Sequence, residues 1–173
     1  MTGKNLDPHD RIVEVLFELC HAHKGDSGKN VYSRIYADHI GKEYKPIILS
    51  GSMPRKPIAK WYYPDIWTQV REKEQFDIYE VWHTENEAQA VQDILFSSFV
   101  KGVRYFHIAC TGENMTGNNA KELMYLILRR IHDEEGKRLL DPDNVYITEV
   151  PTNMQNDKLK TKAHLTKEFE FSV

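Results

Sequence analysis

The alternation of apolar and polar positions divides the chain into short, distinct elements. Ile12, Val15, Leu16, Leu19 and Cys20 recur three and four apart, the spacing of one helix face. Asp7 stands ahead of them as a cap, Pro8 suits the first helical position, and Gly25 follows as a stop. This predicts a helix over 8–24. Residues 26–45 are ambiguous, because Val31, Ile35 and Ile40 fit a helix face while Val31, Ser33 and Ile35 fit a strand. KPIILSG reads as a short strand, SMPRKP as a loop, and AKWYYPDIW as a strand in which Pro64 implies an edge, an end or a bulge. After the charged turn at 69–75, FDIYEVWHT alternates, with Phe76, Ile78, Glu80 and Trp82 on one face and Asp77, Tyr79, Val81 and His83 on the other.

Downstream, 85–100 predicts a helix carrying Ala88, Val91, Leu95 and Val100 on its apolar side. VRYFHIAC is nearly continuously apolar, as in a strand buried on both faces. TGENMTGNN reads as a loop, and AKELMYLILRRIHDEEG as a long helix ended by Gly136. NVYITEV is a strand, and the alternation of Leu165, Lys167, Phe169, Phe171 and Val173 predicts a half-buried terminal strand. Strands clustered early and alternating with helices later imply one α/β domain over 1–173, with a central mixed sheet flanked by helices.

Composition narrows the function classes. A chain of 173 residues with a formal net charge of −3 has no basic body, so nucleic-acid binding would need a local patch. Cys20 and Cys110 lie inside apolar segments without a Cys-x-x-Cys pair, which fits buried thiols rather than a zinc site. His21 and His23, near the end of the first helix, complement its dipole and would ligate a metal only with distant partners. No apolar run approaches the length needed to span a membrane, and the first residues lack a signal-peptide core. The expectation is a cytoplasmic protein with no membrane partner, for which a homodimer is compatible.

The chemistry concentrates at 62–85, YYPDIWTQVREKEQFDIYEVWHTE. Asp65 follows a proline at a strand end, and Glu80 lies on the next strand. Two carboxylates at the ends of neighbouring strands can converge on a divalent cation, which prefers hard oxygen ligands. Pro64-Asp65 followed by Glu80-Val81-Trp82, within this order of helix, strands, helix and strand, resembles the PD-(D/E)xK nuclease superfamily over roughly residues 8–110. That resemblance implies a restriction-endonuclease-like fold, Mg2+ as cofactor, nucleic acid as partner, and Asp65 and Glu80 as metal-binding catalytic residues. It also implies an additional acidic ligand on the first helix, Glu14 or Glu18. Where the family has its lysine, this chain has Trp82. The following helix supplies Gln89 and Gln92 but no Lys or Arg, and Lys60 would point to the other strand face. The implied function is magnesium-dependent phosphodiester hydrolysis, or nucleic-acid binding by the same pocket where hydrolysis is lost. In an ordinary surface sheet, Asp65 would instead end a strand at a turn and Glu80 would pair with a nearby Lys or Arg.

Other segments carry weaker chemistry. Arg55, Lys56 and Lys60 flank Trp61, Tyr62 and Tyr63, and Lys158, Lys160 and Lys162 lie in the most basic stretch. Basic groups beside aromatics suit backbone contact and base stacking, although solvated loops have the same composition. Thr111, Gly112, Gly117 and Asn118 join a buried strand to a helix, where free amides and the helix dipole favour an anion. Asn118 or Asn119 as a simple helix cap accounts for the same residues. The second functional expectation is therefore a non-catalytic α/β module binding a nucleotide or a protein partner through 111–119.

Overall fold

Asp7 begins the first helix by accepting a hydrogen bond from the Asp10 amide at 2.9 Å. In the computed structural model, which describes residues 6–38, 44, 47–48, 61–133 and 135–173, this helix, α1, spans Pro8–Ala22. Ile12, Val13, Val15, Leu16, Leu19 and Cys20 form its buried stripe. The ambiguous stretch after it contains strand β1, Tyr32–Ala37. Ile47–Ile48 (β2) and Trp61–Tyr62 (β3) form a separate antiparallel pair. What was expected as one strand over AKWYYPDIW is therefore two, because Tyr63-Pro64-Asp65 interrupts it before β4, Ile66–Val70. Pro64 cannot donate to a ladder, so the break falls beside it.

β4 turns at 71–75 into β5, Phe76–Trp82, and α2, Glu87–Phe99, carries the chain to β6, Val103–Cys110. Gly102 lies at φ +86°, and a Cβ there would stand 2.5 Å from the Glu74 carbonyl oxygen. Only glycine fits that close approach. α3, Gly117–Leu128, leads through a single 3-10 turn at Pro142–Asn144 to β7, Val145–Glu149, and α4, Lys158–Glu168, follows.

The main sheet has the order β1-β4-β5-β6-β7. β1, β4 and β5 are antiparallel neighbours, whereas β5, β6 and β7 are parallel. The fold is α/β with a mixed sheet, as expected from the order of elements. Val13, Leu16, Tyr79, Val81, Ala109 and Leu165 belong to the apolar layer that joins α1 and α4 to one sheet face. Ile78, Trp82, Ile94, Phe106, Ile108 and Met124 belong to the layer beneath α2 and α3. Among the described residues no helix is long and apolar enough to cross a membrane.

Three expectations need correction. The buried stripe of α2 is Ala90, Ile94, Ser97 and Ser98, not the phase set by Ala88, Val91 and Leu95; Ala88 is exposed. α3 is capped by Thr116 and ends at Leu128, well before Gly136. The C-terminal alternation is helical: Thr161, Leu165 and Phe169 are buried at four-residue spacing. Glu170, at φ 55°, closes α4. The Phe171 amide donates to the Thr166 carbonyl and the Glu170 amide to the Lys167 carbonyl, the paired bonds of a Schellman stop.

Candidate functional site

Antiparallel pairing places Ile66 opposite Tyr79, so Asp65 and Glu80 fall one step beyond on adjacent strands. Both residues are buried, at 8% and 4% exposure. Asp65 Oδ2 accepts from the Val81 amide at 2.8 Å, and Glu80 Oε2 takes a long contact of 3.4 Å from the Asp65 amide. The Tyr62 hydroxyl donates to Glu80 Oε1. Backbone and side chain thus lock the two carboxylates together rather than leaving them at a solvated turn.

A third carboxylate completes the cluster. Asp93 on α2 accepts from the Trp82 indole Nε1 at 3.0 Å. Burial raises the Asp93 carboxyl to about 7, opposed by the Trp82 hydrogen bond and reinforced by Asp65 and Glu85. Glu80 is pushed well above the carboxylate range by burial first, then by the charges of Asp93 and Asp65. Like charges held together in a dry site favour protonation of some of them. Among the described residues no Lys or Arg pairs with Asp65, Glu80 or Asp93.

The nearby cation comes from α1. His9 Nε2 lies 3.2 Å from Asp65 Oδ1, and its Nδ1 lies 2.9 Å from Asp10. Burial by itself would lower the pKa of this imidazole, but the hydrogen bond and charge of Asp65, with Asp10 and Glu85 adding to them, raise it to about 9. His9 is therefore an imidazolium at neutral pH.

Glu14, the expected acidic ligand on α1, engages α4 instead, 3.9 Å from Lys158 Nζ. Glu18 holds the same ammonium at 2.6 Å and lies 3.9 Å from Lys162. Lys158 and Lys162 are thereby partners of α1 acids, while Lys160 is exposed on the helix. Arg55, Lys56 and Lys60 lie outside the described residues.

The 111–119 segment borders the same strand ends. The Thr111 amide donates to the Trp82 carbonyl at 3.0 Å, and Thr111 Oγ1 lies 2.7 Å from His83 Nδ1. At the start of α3 the anion position holds the protein's own Glu149, whose Oε1 accepts from the Gly117 amide at 3.2 Å. Gly112, at φ +81°, leaves room for this carboxylate, because a Cβ there would come within 3.1 Å of Oε1. Asn118 sits in the first turn of α3, while the cap is Thr116, which accepts from the Asn119 amide.

His9, Asp93 and Glu149 escaped the reading of the sequence, and Tyr62 entered it only as an aromatic beside the basic cluster. Asp93 becomes visible only with the correct helix phase, three residues after buried Ala90. His9 sits in a capping segment and Glu149 at a strand end, with no local pattern marking either.

The carboxyl oxygens suit a hard divalent cation in chemical type. Mg2+ is commonly held by one or two carboxylates with water and substrate phosphate completing its shell, and the four oxygens of Asp65 and Glu80 are already engaged by His9, the Val81 amide, the Tyr62 hydroxyl and the Asp65 amide. A trio whose ligand atoms all lie within 4.8 Å of one another is found among the described residues at Asp7, His9 and Asp10, where His9 is already committed to Asp65 and Asp10. Fold and site together define a layered α/β protein with paired buried carboxylates at the end of its central strand. Comparisons with protein-family models, characterised proteins and solved structures find no match.

Proposed function

We propose that the chain is a nuclease-like phosphodiesterase of the PD-(D/E)xK type, acting on nucleic acid with Mg2+. The reading is carried by one observation: Asp65 and Glu80 are buried side by side with Asp93, and the His9 imidazolium on Asp65 leaves the three acids with more negative charge than it offsets, no Lys or Arg among the described residues pairing with them. Buried carboxylates need compensation by protons or by a cation. Asp65 and Glu80 would hold the metal, which supplies Lewis-acid polarisation and a lowered pKa for bound water.

The remaining roles fall to this chain's own side chains. His9 places a fixed positive charge next to Asp65, in the region where phosphate charge builds up. Trp82 cannot replace the charge of the family's lysine, and its indole N–H instead orients Asp93. Asp93, near neutrality in its proton affinity, is suited to hold or release a proton at its carboxylate during turnover. The alternative, ligand binding through 111–119, is less favoured because Glu149 already engages the Gly117 amide.

The test uses end-labelled single- and double-stranded DNA and RNA oligonucleotides incubated with Mg2+ or Mn2+. Wild type should cleave at least one class, and Asp65→Asn or Glu80→Gln should lower the rate by about two orders of magnitude or more, as expected when an electrostatic catalytic group is lost. No cleavage of any substrate by wild type, or cleavage undiminished in both variants, would contradict hydrolysis at this site.

A further inference from the structure

The inner side of α3 is packed, and its outer side is not. Ala120, Met124 and Leu128 face the core, while Leu126 and Tyr125 on the other side are 54% and 41% exposed. A helix buried along one stripe ordinarily shows water charged and polar groups opposite that stripe. Two adjoining large apolar side chains there form a patch rather than a scattered single residue.

Leu126 stands between two open grooves. The first, about 290 Å3, reaches the start of α2 and is bounded by Glu87, Met115 and Leu123. The second, about 520 Å3, follows the outer side of α3 past Tyr125 and Arg129. Glu122 and Leu126 line both. The surface is thus an apolar ridge with a hollow on each side, the relief into which the ridge of a facing helix packs.

Charge is divided between the two ends of this ridge. Glu122 lies toward the start of α3, with Glu87 across the first groove, and Arg129 and Arg130 lie at the helix end. None of these four makes an ion pair among the described residues. Arg129 lies over the Tyr125 ring at 5.3 Å, and Arg130 Nη1 donates to the Leu126 carbonyl at 2.9 Å, which keeps both side chains beside the ridge. Lys121 lies further round, where it borders the acids Glu149 and Glu168.

A polyanion would be repelled at the Glu122 end and a polycation at the Arg129 end. A second copy turned end for end meets opposite charge at both, because a twofold axis sets one patch against itself. Tyr125 and Leu126 fall midway between Glu122 and Arg129, so the apolar centres coincide when the charges pair. A parallel arrangement would oppose like charges.

We propose that the outer face of α3 is the interface of a twofold-symmetric homodimer. The two α3 helices pack antiparallel about Tyr125 and Leu126, with Glu122 of each copy against Arg129 of the other. No residue of the carboxylate cluster lies on α3, so the proposal does not depend on the nuclease reading.

Sedimentation velocity of the full-length protein from about 1 to 300 μM tests it, a range suited to an interface at the small end of the size classes. Wild type should pass from monomer to dimer as concentration rises. Leu126→Glu, at an exposed position, should weaken the dimer at least about tenfold. Glu122→Arg and Arg129→Glu should each weaken it about tenfold, since symmetry doubles every like-charge contact, and combining them should recover most of that loss. A short bismaleimide should link Leu126→Cys into dimers but not Leu159→Cys, which is exposed on α4, because Cys20 and Cys110 are buried. The proposal is overturned if wild type stays monomeric throughout, which would leave the face to a different protein. It is equally overturned if Leu126→Glu dimerises like wild type, if the charge-swapped double variant is no tighter than the single ones, or if both cysteine variants cross-link alike. The cross-linking decides the matter even if a charge variant folds poorly.

Discussion

The indole Nε1 of Trp82 donates to Asp93 Oδ2 at 3.0 Å across the space between β5 and α2. At the position where the resembled family carries a charged lysine, this chain places a neutral donor and ties it to a third acid. The hydrogen bond holds the Asp93 carboxyl near 7 against a burial effect that pushes it upward.

Trp82→Phe keeps most of the buried volume and removes that donor. The Asp93 carboxyl is then expected to titrate above 7, read by 13C NMR of labelled aspartate, with a stability loss of about 1–2 kcal/mol that develops as pH rises through 7, where the carboxylate loses its donor. An unchanged Asp93 titration would show that the indole does not tune it.

His9 links α1 to the carboxylates. Because its folded pKa of about 9 exceeds the ordinary 6.5, its contribution is fully present below pH 6.5 and is lost as pH rises through 9. His9→Gln should therefore lower stability by about 2 kcal/mol at neutral pH, and the two unfolding curves should converge above pH 9. A deficit that persists at high pH would assign His9 a purely packing role.

His107 has the opposite sign. Burial lowers its pKa to about 4, so the folded state disfavours the proton. Its contribution is present above pH 6.5 and is lost as pH falls toward 4, on the order of 3 kcal/mol over that window. Thermal unfolding followed across this range should show a steep acid side in wild type and a flatter one in His107→Phe.

Glu149 acts as an internal anion at the start of α3. Replacing it in Glu149→Ala should lower the melting temperature modestly and leave the Gly117 amide open. Inorganic phosphate should then stabilise the variant more than wild type. Equal effects of phosphate on both proteins would mean that the carboxylate does not shield the helix end.

Much of the architecture was legible in the sequence where two signals coincided. Asp7-Pro8 with the Ile12 to Cys20 spacing fixed α1, and the alternation at 76–83 placed Glu80 and Trp82 on one face, where Ile78 and Trp82 pack beneath α2. Where one signal stood alone it misled. Leu165, Phe169 and Phe171 alternate like a strand, yet Thr161, Leu165 and Phe169 are one helix stripe, and the αL residue Glu170 folds Phe171 back. The pairing of Asp65 with Glu80 followed from strand order, whereas His9, Asp93 and Glu149 reach their partners through tertiary packing. Spacing along the chain carries no record of such contacts, so Glu14, the acid at helical spacing, drew attention while its real partner was Lys158.

The central claim is that Asp65 and Glu80 form a divalent-cation site, and calorimetric titration of Mg2+ and Mn2+ into the protein between pH 6 and 8 tests it most directly. Because burial and the neighbouring acids favour a proton on Glu80 that the metal must displace, affinity should rise with pH across this range, with protons released on binding. The signal should be lost in Glu80→Gln and Asp65→Asn but retained in Glu14→Gln. Metal binding of equal strength in wild type and in both carboxylate variants, or no binding at any pH, would contradict the assignment.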